Sequence, residues 1–186
     1  MKKFIAMLTL LIGFNANAGL LTIDLSADEV SVGESVLVTI SAQDFDETDM
    51  FWFDFNFDNS VVSYDDSSLS SGLTLADDDP MFNGLEVSAE DFGLAFNFFT
   101  DDFSLMAAGD FVLATFNLTA DSAGFTDFSI FDLVVFDEFG ETAAYSVAFS
   151  GASSVNVSAS SIPEPTSAAL LMLAGLAFVS SRRKAK

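Results

Sequence analysis

The sequence predicts an all-β protein built around a single antiparallel β-sandwich of about nine strands. Short segments in which apolar and polar residues alternate follow one another at regular intervals, with turns rich in Gly, Asp and Ser between them. No segment has the apolar periodicity of an amphipathic helix. Regular spacing of this kind is typical of a sandwich with Greek-key or jelly-roll connections, and a barrel is the alternative.

The first part of the chain predicts strands separated by a turn. Apolar residues occupy every second position in two runs, Leu21, Ile23 and Leu25, then Val36, Val38 and Ile40. Between these runs, a short strand through Val30 and Val32 leads into a turn at Gly33 and Glu34. The acidic segment 43–49 is expected to be a loop.

The strongest strand signal is the segment 51–57. Its four Phe side chains alternate with Trp52, Asp54 and Asn56, so one face of the strand is aromatic. We expect that face to form the centre of the core. Trp52 lies on the opposite face, where it is either a stacking platform for a sugar ring, or else part of a second core layer or a partly covered surface aromatic. The second interpretation is favoured.

The remaining strands are predicted beyond a polar loop over 65–80. Apolar residues alternate again in the segments 85–89, 92–98, 112–118, 128–136 and 145–149. The Ser-rich stretch 151–161 is expected to be a linker, which could begin as an edge strand through Val155 and Val157. These assignments place the sandwich domain at 19–150.

Charge is distributed unevenly along the chain. All six basic residues lie near the two ends, and no Lys, Arg or His occurs over 4–181, whereas all 28 acidic residues lie within 24–164. The central domain therefore has no side-chain salt bridge of its own, and nucleic acid is excluded as a partner because phosphate binding depends on Lys and Arg. There is no Cys, so packing of the many Phe side chains must hold the fold.

The same inventory predicts that the protein is not an enzyme. Without His, Cys, Lys or Arg, the domain lacks the common general bases, nucleophiles and oxyanion-stabilising groups. A pair of carboxylates, as in glycosidases, is the one catalytic device that its composition allows. We therefore assign no catalytic residue.

Two acidic clusters are candidates for binding calcium, the one cofactor that the composition suggests. Calcium takes carboxylate and carbonyl oxygens as ligands. The candidates are Asp44, Asp46 and Asp49 in the first cluster, and Asp77, Asp78 and Asp79 in the second. Neither cluster has the spacing of an EF-hand loop. A solvated acidic loop is the interpretation that we favour for each.

The N-terminus has the three parts of a secretory signal peptide over 1–18. Lys2 and Lys3 precede an apolar core over 4–14, and Ala16 and Ala18 frame a small-x-small cleavage site. Cleavage by signal peptidase after Ala18 would leave a mature chain that begins at Gly19. The segment therefore predicts export.

The C-terminus carries three features in a fixed order. The stiff motif Pro163-Glu164-Pro165 precedes an apolar segment over 168–179, which is followed by a basic cluster that includes Arg182 and Arg183. The apolar segment is short for a membrane span of about 17–25 residues, but a hydrophobic helix there could cross a locally thinned bilayer. The basic residues would then hold the end of the chain in the cytoplasm.

This order resembles the PEP-CTERM sorting signal of Gram-negative bacteria, over 162–186. The resemblance implies that an exosortase in the inner membrane processes the chain, which passes through that membrane transiently and reaches the outer surface or extracellular matrix. It also implies an association with exopolysaccharide and biofilm. An ordinary membrane anchor that is never cut is the alternative.

The central domain resembles a cohesin domain in short patterns. The segment 32–40, with its Gly33-Glu34 turn before an alternating strand, is similar to the opening of that family, and 53–62 is similar to the next strand. The segments 111–118 and 137–141, with Gly124, are similar to later strands and turns. The resemblance implies a nine-stranded jelly-roll sandwich. Cohesins bind dockerins, and related carbohydrate-binding modules share the sandwich, so both a dockerin-like protein and a glycan remain open as ligands.

Two functional hypotheses follow. In the first, the protein is an acidic module of the outer surface or matrix, with a non-catalytic structural or adhesive role linked to exopolysaccharide or biofilm. In the second, it is a dedicated module that binds a glycan or a dockerin-like protein, with or without calcium. An aromatic patch around Trp52 would favour the second hypothesis, and a featureless acidic surface would favour the first.

Overall fold

The computed structural model describes residues 19–76, 83–102, 106–137 and 145–159, without the side chains of Asp46 and Asp137. These ranges contain eleven strands and no helix, so the predicted all-β class is confirmed with two strands more than expected. The strands are β1 (Leu20–Leu25), β2 (Glu29–Ser31), β3 (Ser35–Asn56), β4 (Val62–Ser70), β5 (Gly84–Glu90), β6 (Gly93–Phe99), β7 (Ala107–Ala120), β8 (Gly124–Asp127), β9 (Ser129–Asp137), β10 (Ser146–Phe149) and β11 (Ser154–Ser158).

The longest strand, β3, belongs to both layers of the sandwich. Its 22 residues would extend roughly 70 Å at about 3.3 Å per residue, which is more than the width of a compact domain of this size. Register shifts between Ile40 and Thr48 interrupt the strand instead. Its first half pairs with β1 and β7, and its second half pairs with β6 and β9.

The two halves of β3 face each other across the core. The ring centroid of Phe55, in the second half, lies 5.7 Å from that of Phe116. Phe116 belongs to β7, which pairs with the first half. The strand order is β10-β1-β3-β7-β4 in one layer and β5-β6-β3-β9 in the other, and a third small sheet has the order β2-β11-β8. This third sheet joins the same core through Val30, Val155 and Val157.

The expectation of a purely antiparallel sandwich is wrong. β1 pairs with β10 in parallel, and β2 pairs with β11 in parallel. Short hairpins make sequential strands antiparallel, but strands that are distant in the sequence can meet in either direction. Both parallel pairs join one strand from the start of the domain to one from its end.

The aromatic core follows the predicted alternation. Phe51, Phe53 and Phe55 are all buried, as expected for one face of the second half of β3. Phe51 stacks on Phe98 and Phe53 stacks on Phe96, with ring centroids 5.0 and 4.7 Å apart. Stacked pairs of this kind add about 0.5–1.5 kcal/mol each to the stabilisation from burial.

The prediction of polar loops over 43–49 and 65–80 is wrong in part, because irregular strands include some of these residues. The segment 43–49 lies within β3, and its Phe45 is buried against Phe51 and Phe111. The expected loop over 65–80 begins later, since β4 continues to Ser70. Bulges explain the first error, because an inserted residue breaks the alternation that sequence reasoning relies on.

Two apolar side chains of the alternating segments 92–98 and 112–118 are exposed. Val112 was expected on the same inward face as Ala114, but it is 43% exposed because the register shift between β3 and β7 turns Leu113 inward in its place. Phe92 is 75% exposed because it lies in the tight turn between β5 and β6 rather than in a strand. Both errors arise where regular pairing is interrupted.

The stretch expected to be a linker contains β11. Val155 and Val157 are buried, and the strand lies between β2 and β8. The middle of 151–161 is therefore part of the sandwich. The expected signal peptide and the sorting segment 162–186 lie outside the described residues. Among the residues that are described, no helix is long and apolar enough to cross a membrane.

Candidate functional site

The outward side of the layer β5-β6-β3-β9 is the most distinctive surface of the described chain. Because Phe51, Phe53 and Phe55 point into the core, the residues between them point outward. The strand registers align these outward residues in rows across the four strands. We call this surface the outer face, and its main residues are Met50, Trp52, Asp54, Glu86, Ser88, Ala95, Asn97, Phe99, Phe131, Val134 and Phe136.

Trp52 lies in the middle of the outer face. Its row runs from Glu86 through Asn97 to Trp52 and Val134. The indole is 36% exposed, and its ring rests against Phe136 with the centroids 5.4 Å apart and an interplanar angle of 40°. It is therefore a partly covered surface aromatic. A stacking role toward a ligand stays a prediction.

A shallow depression of about 360 Å³ opens beside Trp52. Its walls include Met50, Asn97 and Phe99, so it is mainly apolar with one amide group. Phe131, in the next row, is 59% exposed, and it lies opposite Asp54 across the β3–β9 pair. The outer face thus combines an apolar centre with polar and acidic neighbours.

The carboxylate of Asp54 is the acidic group nearest to Trp52 along β3. It follows Trp52 by two residues, with the buried Phe53 between them. Asp54 is half-buried, and its carboxylate accepts no hydrogen bond from another described residue. Glu86 at the other end of the Trp52 row and Asp132 beside Phe131 are both exposed. The Asp54 and Glu86 carboxylates give the face a negative potential.

The candidate calcium ligands are only partly described. Asp44 has a positive φ of 50°, and its backbone N–H donates a hydrogen bond to the Asp110 carboxylate over 2.9 Å. Asp49 is half-buried in β3, and its carbonyl accepts a hydrogen bond from the Thr100 N–H. Over the described ranges, no three carboxylates form a group that could hold a metal ion. The structure does not describe the Asp46 side chain or Asp77, Asp78 and Asp79, so the calcium site stays a prediction.

A wider depression of about 640 Å³ lies near the β5–β6 turn, with Asp58, Asp91 and Asp127 in its walls. The hydroxyl and backbone N–H of Ser60 both donate to the Asp58 carboxylate and lower its pKa below the ordinary value. The Asn59 amide donates to the carbonyls of Glu90 and Asp91. These hydrogen bonds hold the Asp58 carboxylate and the Asn59 amide in two turns, and we assign no ligand to this depression.

The alternation in 51–57 predicts the outward position of Trp52 but not the side chains around it. Phe136 and Phe131 come from β9, where a register shift and the positive φ of Asp132 disturb the alternation. Asn97 and Phe99 alternate with the buried Phe96 and Phe98, so the period of β6 could have placed them on the outer side. That they meet Trp52 follows from strand order, which the sequence pattern does not give.

Comparison with solved structures identifies the architecture. The chain is similar to a non-cellulosomal cohesin from Archaeoglobus fulgidus, with a TM-score of 0.55 and 13% identity over 74% of this chain and 91% of that one. It is similar at a TM-score of 0.55 and 17% identity to a type II cohesin domain from Acetivibrio cellulolyticus, over 75% and 95% of the two chains. The fold is cohesin-like.

A third neighbour of the cohesin-like fold is described as a type I cohesin–dockerin complex from Clostridium thermocellum. Its TM-score is 0.58 at 12% identity, over 79% of this chain and 98% of that one. No family model and no curated protein matches the sequence. The cohesin-like sandwich implied by the segments 32–40 and 53–62 is thereby confirmed at the level of fold.

Proposed function

We propose that this protein is an exported, non-catalytic module whose cohesin-like sandwich binds a protein partner through the outer face. The observation that carries the proposal is the exposed aromatic centre of that face, formed by Trp52 with Phe136 and flanked by Phe131. Large aromatic side chains within a polar rim are characteristic of protein interfaces, where Trp is enriched among the residues that dominate binding energy.

The comparisons support a protein partner more than a structural role. The Clostridium thermocellum neighbour was solved with a dockerin bound, and the fold alone connects it to this chain. A purely structural module would not require an exposed aromatic centre on one sheet face. The proposal includes a route to the cell surface. The chain is exported through the segment 1–18, and an exosortase then processes it at the motif Pro163-Glu164-Pro165.

The composition of the domain supports the non-catalytic part of the proposal. From residue 4 to 181 the chain has no His, Cys, Lys or Arg. A binding module needs none of these groups, whereas most hydrolytic and transfer mechanisms use at least one of them. The carboxylates of the outer face serve recognition in this proposal rather than proton transfer.

Site-specific photo-cross-linking in the producing bacterium tests the proposal. A photoreactive amino acid replaces Asn97 on the outer face in one variant and Thr39 on the opposite layer in the other. We expect a defined protein adduct from position 97 and none from position 39. Equal adducts from both positions, or an adduct with polysaccharide alone, would contradict a protein-binding outer face.

A matched pair of substitutions then measures the contribution of the face to affinity for the captured protein. Ala95→Arg adds bulk beside Asp54 in the same row, and Thr39→Arg makes the same change in charge on the other layer. We expect Ala95→Arg to weaken binding at least about tenfold by steric exclusion, which corresponds to about 1.4 kcal/mol. Thr39→Arg should leave the affinity within about twofold.

A further inference from the structure

The surroundings of Trp52 and Asp54 indicate which kind of side chain the protein partner inserts there. This inference rests on the proposed function. The two side chains leave the same side of β3, because the residue between them, Phe53, is buried. Two residues along one face of a strand are about 6.6 Å apart. A single extended side chain of a partner can therefore contact the indole and the carboxylate together.

The Asp54 carboxylate lacks a cationic partner within its own domain. No Lys, Arg or His occurs over 4–181, and Glu86, the other carboxylate of the outer face, adds to its negative potential. The hydroxyl groups of a neutral glycan can donate hydrogen bonds to the carboxylate but leave its charge unneutralised, and a polyanion would be repelled. Charge complementarity therefore favours a partner that supplies a cation.

We propose that Trp52 and Asp54 together receive an arginine side chain of the protein partner. A guanidinium group is planar, so it can stack on the indole while two of its N–H groups donate to the carboxylate. A lysine ammonium is a compact, strongly hydrated charge without this flat surface. The geometry thus distinguishes arginine from lysine.

The neighbouring side chains suit the rest of an arginine residue. Phe136 supports the indole from one side, at a centroid distance of 5.4 Å. Met50 and Phe99 line the depression beside Trp52, where the apolar stem of an arginine could be buried. Asn97 lies in the same depression, and its side-chain oxygen is available as a second acceptor for the guanidinium. The outer face therefore offers a surface for each part of this side chain.

Trp52 is the single Trp of the protein, so its fluorescence reports directly on this surface. The full chain in a mild non-ionic detergent is titrated with a short peptide that contains one Arg between Leu residues and no aromatic residue. Matched peptides carry Lys or citrulline in place of Arg, and citrulline keeps the shape of the side chain without its charge. The chain carries Arg182→Gln and Arg183→Gln, so that its own guanidinium groups do not compete.

We expect a fluorescence change with the Arg peptide at a midpoint at least about fivefold lower than with the Lys peptide, and no change with citrulline. Asp54→Asn should raise the midpoint for Arg about tenfold. Glu29→Gln makes the same change in net charge at an exposed position on β2, so it should shift the midpoint less than about twofold. Circular dichroism verifies the fold of each variant.

Three outcomes would overturn the arginine assignment: equal midpoints for Arg and Lys, equal effects of Asp54→Asn and Glu29→Gln, or no response to the Arg peptide. A response to a neutral oligosaccharide at lower concentration than to the Arg peptide would likewise overturn it and indicate a glycan ligand. If the captured protein still binds through position 97 after its arginines are changed to lysines, the proposed function stands and the arginine assignment fails. If position 97 yields no protein adduct, the proposed function itself fails.

Discussion

At the scale of single residues, the fold depends on alternation in the second half of β3 and in β6, and on one glycine where those strands meet. Phe53 and Phe96 stack in the core, while their neighbours Trp52 and Asn97 form the outer face. Gly93 begins β6 with a φ of 147°, in a region that residues with a Cβ avoid. A Cβ at this position would lie 2.0 Å from the carbonyl oxygen of Phe55.

We predict that Gly93→Ala lowers the free energy of unfolding by about 3 kcal/mol or more, because the methyl group adds a backbone clash to the strain of its φ. Chemical denaturation with circular dichroism measures the change. Gly151→Ala is the matched control, since no atom lies within 4 Å of a Cβ built there. The control should change stability by less than about 0.5 kcal/mol. A Gly93→Ala variant as stable as the control would show that β6 can move away from β3.

At the scale of secondary-structure elements, the sandwich is closed by strands that come from both ends of the domain. β10 pairs with β1, and β11 pairs with β2, in both cases in parallel. β11 also pairs with β8, so this last strand is central to its own small sheet. β11 forms because Val155 and Val157 alternate with polar residues and are buried. The Ser-rich composition of the stretch 151–161 had suggested a linker instead.

We predict that Val155→Asp destabilises the domain by about 3–5 kcal/mol, because it places an unpaired carboxylate in the core. Asn156→Asp places the same group one residue later, on the exposed side of β11, and should cost less than about 0.5 kcal/mol. Urea unfolding of the two variants gives the comparison. Equal stabilities would mean that β11 contributes little to the sandwich.

At the scale of the whole molecule, the domain is a polyanion held together by an apolar core. The formal net charge of the chain is −22, and its six basic residues all lie near the ends. The described residues therefore contain only carboxylates as charged side chains, and their mutual repulsion opposes the compact state. Dissolved ions weaken this repulsion, since the Debye length falls from about 30 Å at 0.01 M salt to about 3 Å at 1 M.

We predict that the melting temperature rises by about 5 °C between 10 mM and 500 mM NaCl, through screening of carboxylate repulsion. Differential scanning calorimetry measures the shift, and choline chloride at equal ionic strength should give a similar rise. A melting temperature that is unchanged or falls with salt would contradict this account. An additional rise with about 1 mM CaCl₂ would instead indicate an ordered calcium site, with the acidic clusters at 44–49 and 77–79 as its candidates.

The sequence by itself determined the all-β class, the aromatic core face of 51–57 and the outward position of Trp52. These features depend on the two-residue period of a strand, which is local and visible in the order of the residues. The absence of basic residues over 4–181 likewise predicts that nucleic acid is not a partner, and this prediction depends on composition rather than on how the chain folds.

Only the tertiary structure decided which strands lie side by side. Bulges in β3, β7 and β9 break the local period, so the inward position of Phe45, the exposure of Val112 and the place of Phe131 could not be read from alternation. The row that joins Glu86, Asn97, Trp52 and Val134 is drawn from separate parts of the chain. Such contacts depend on the packing of the whole core, because the free energy that selects one strand order is shared among many distant residues.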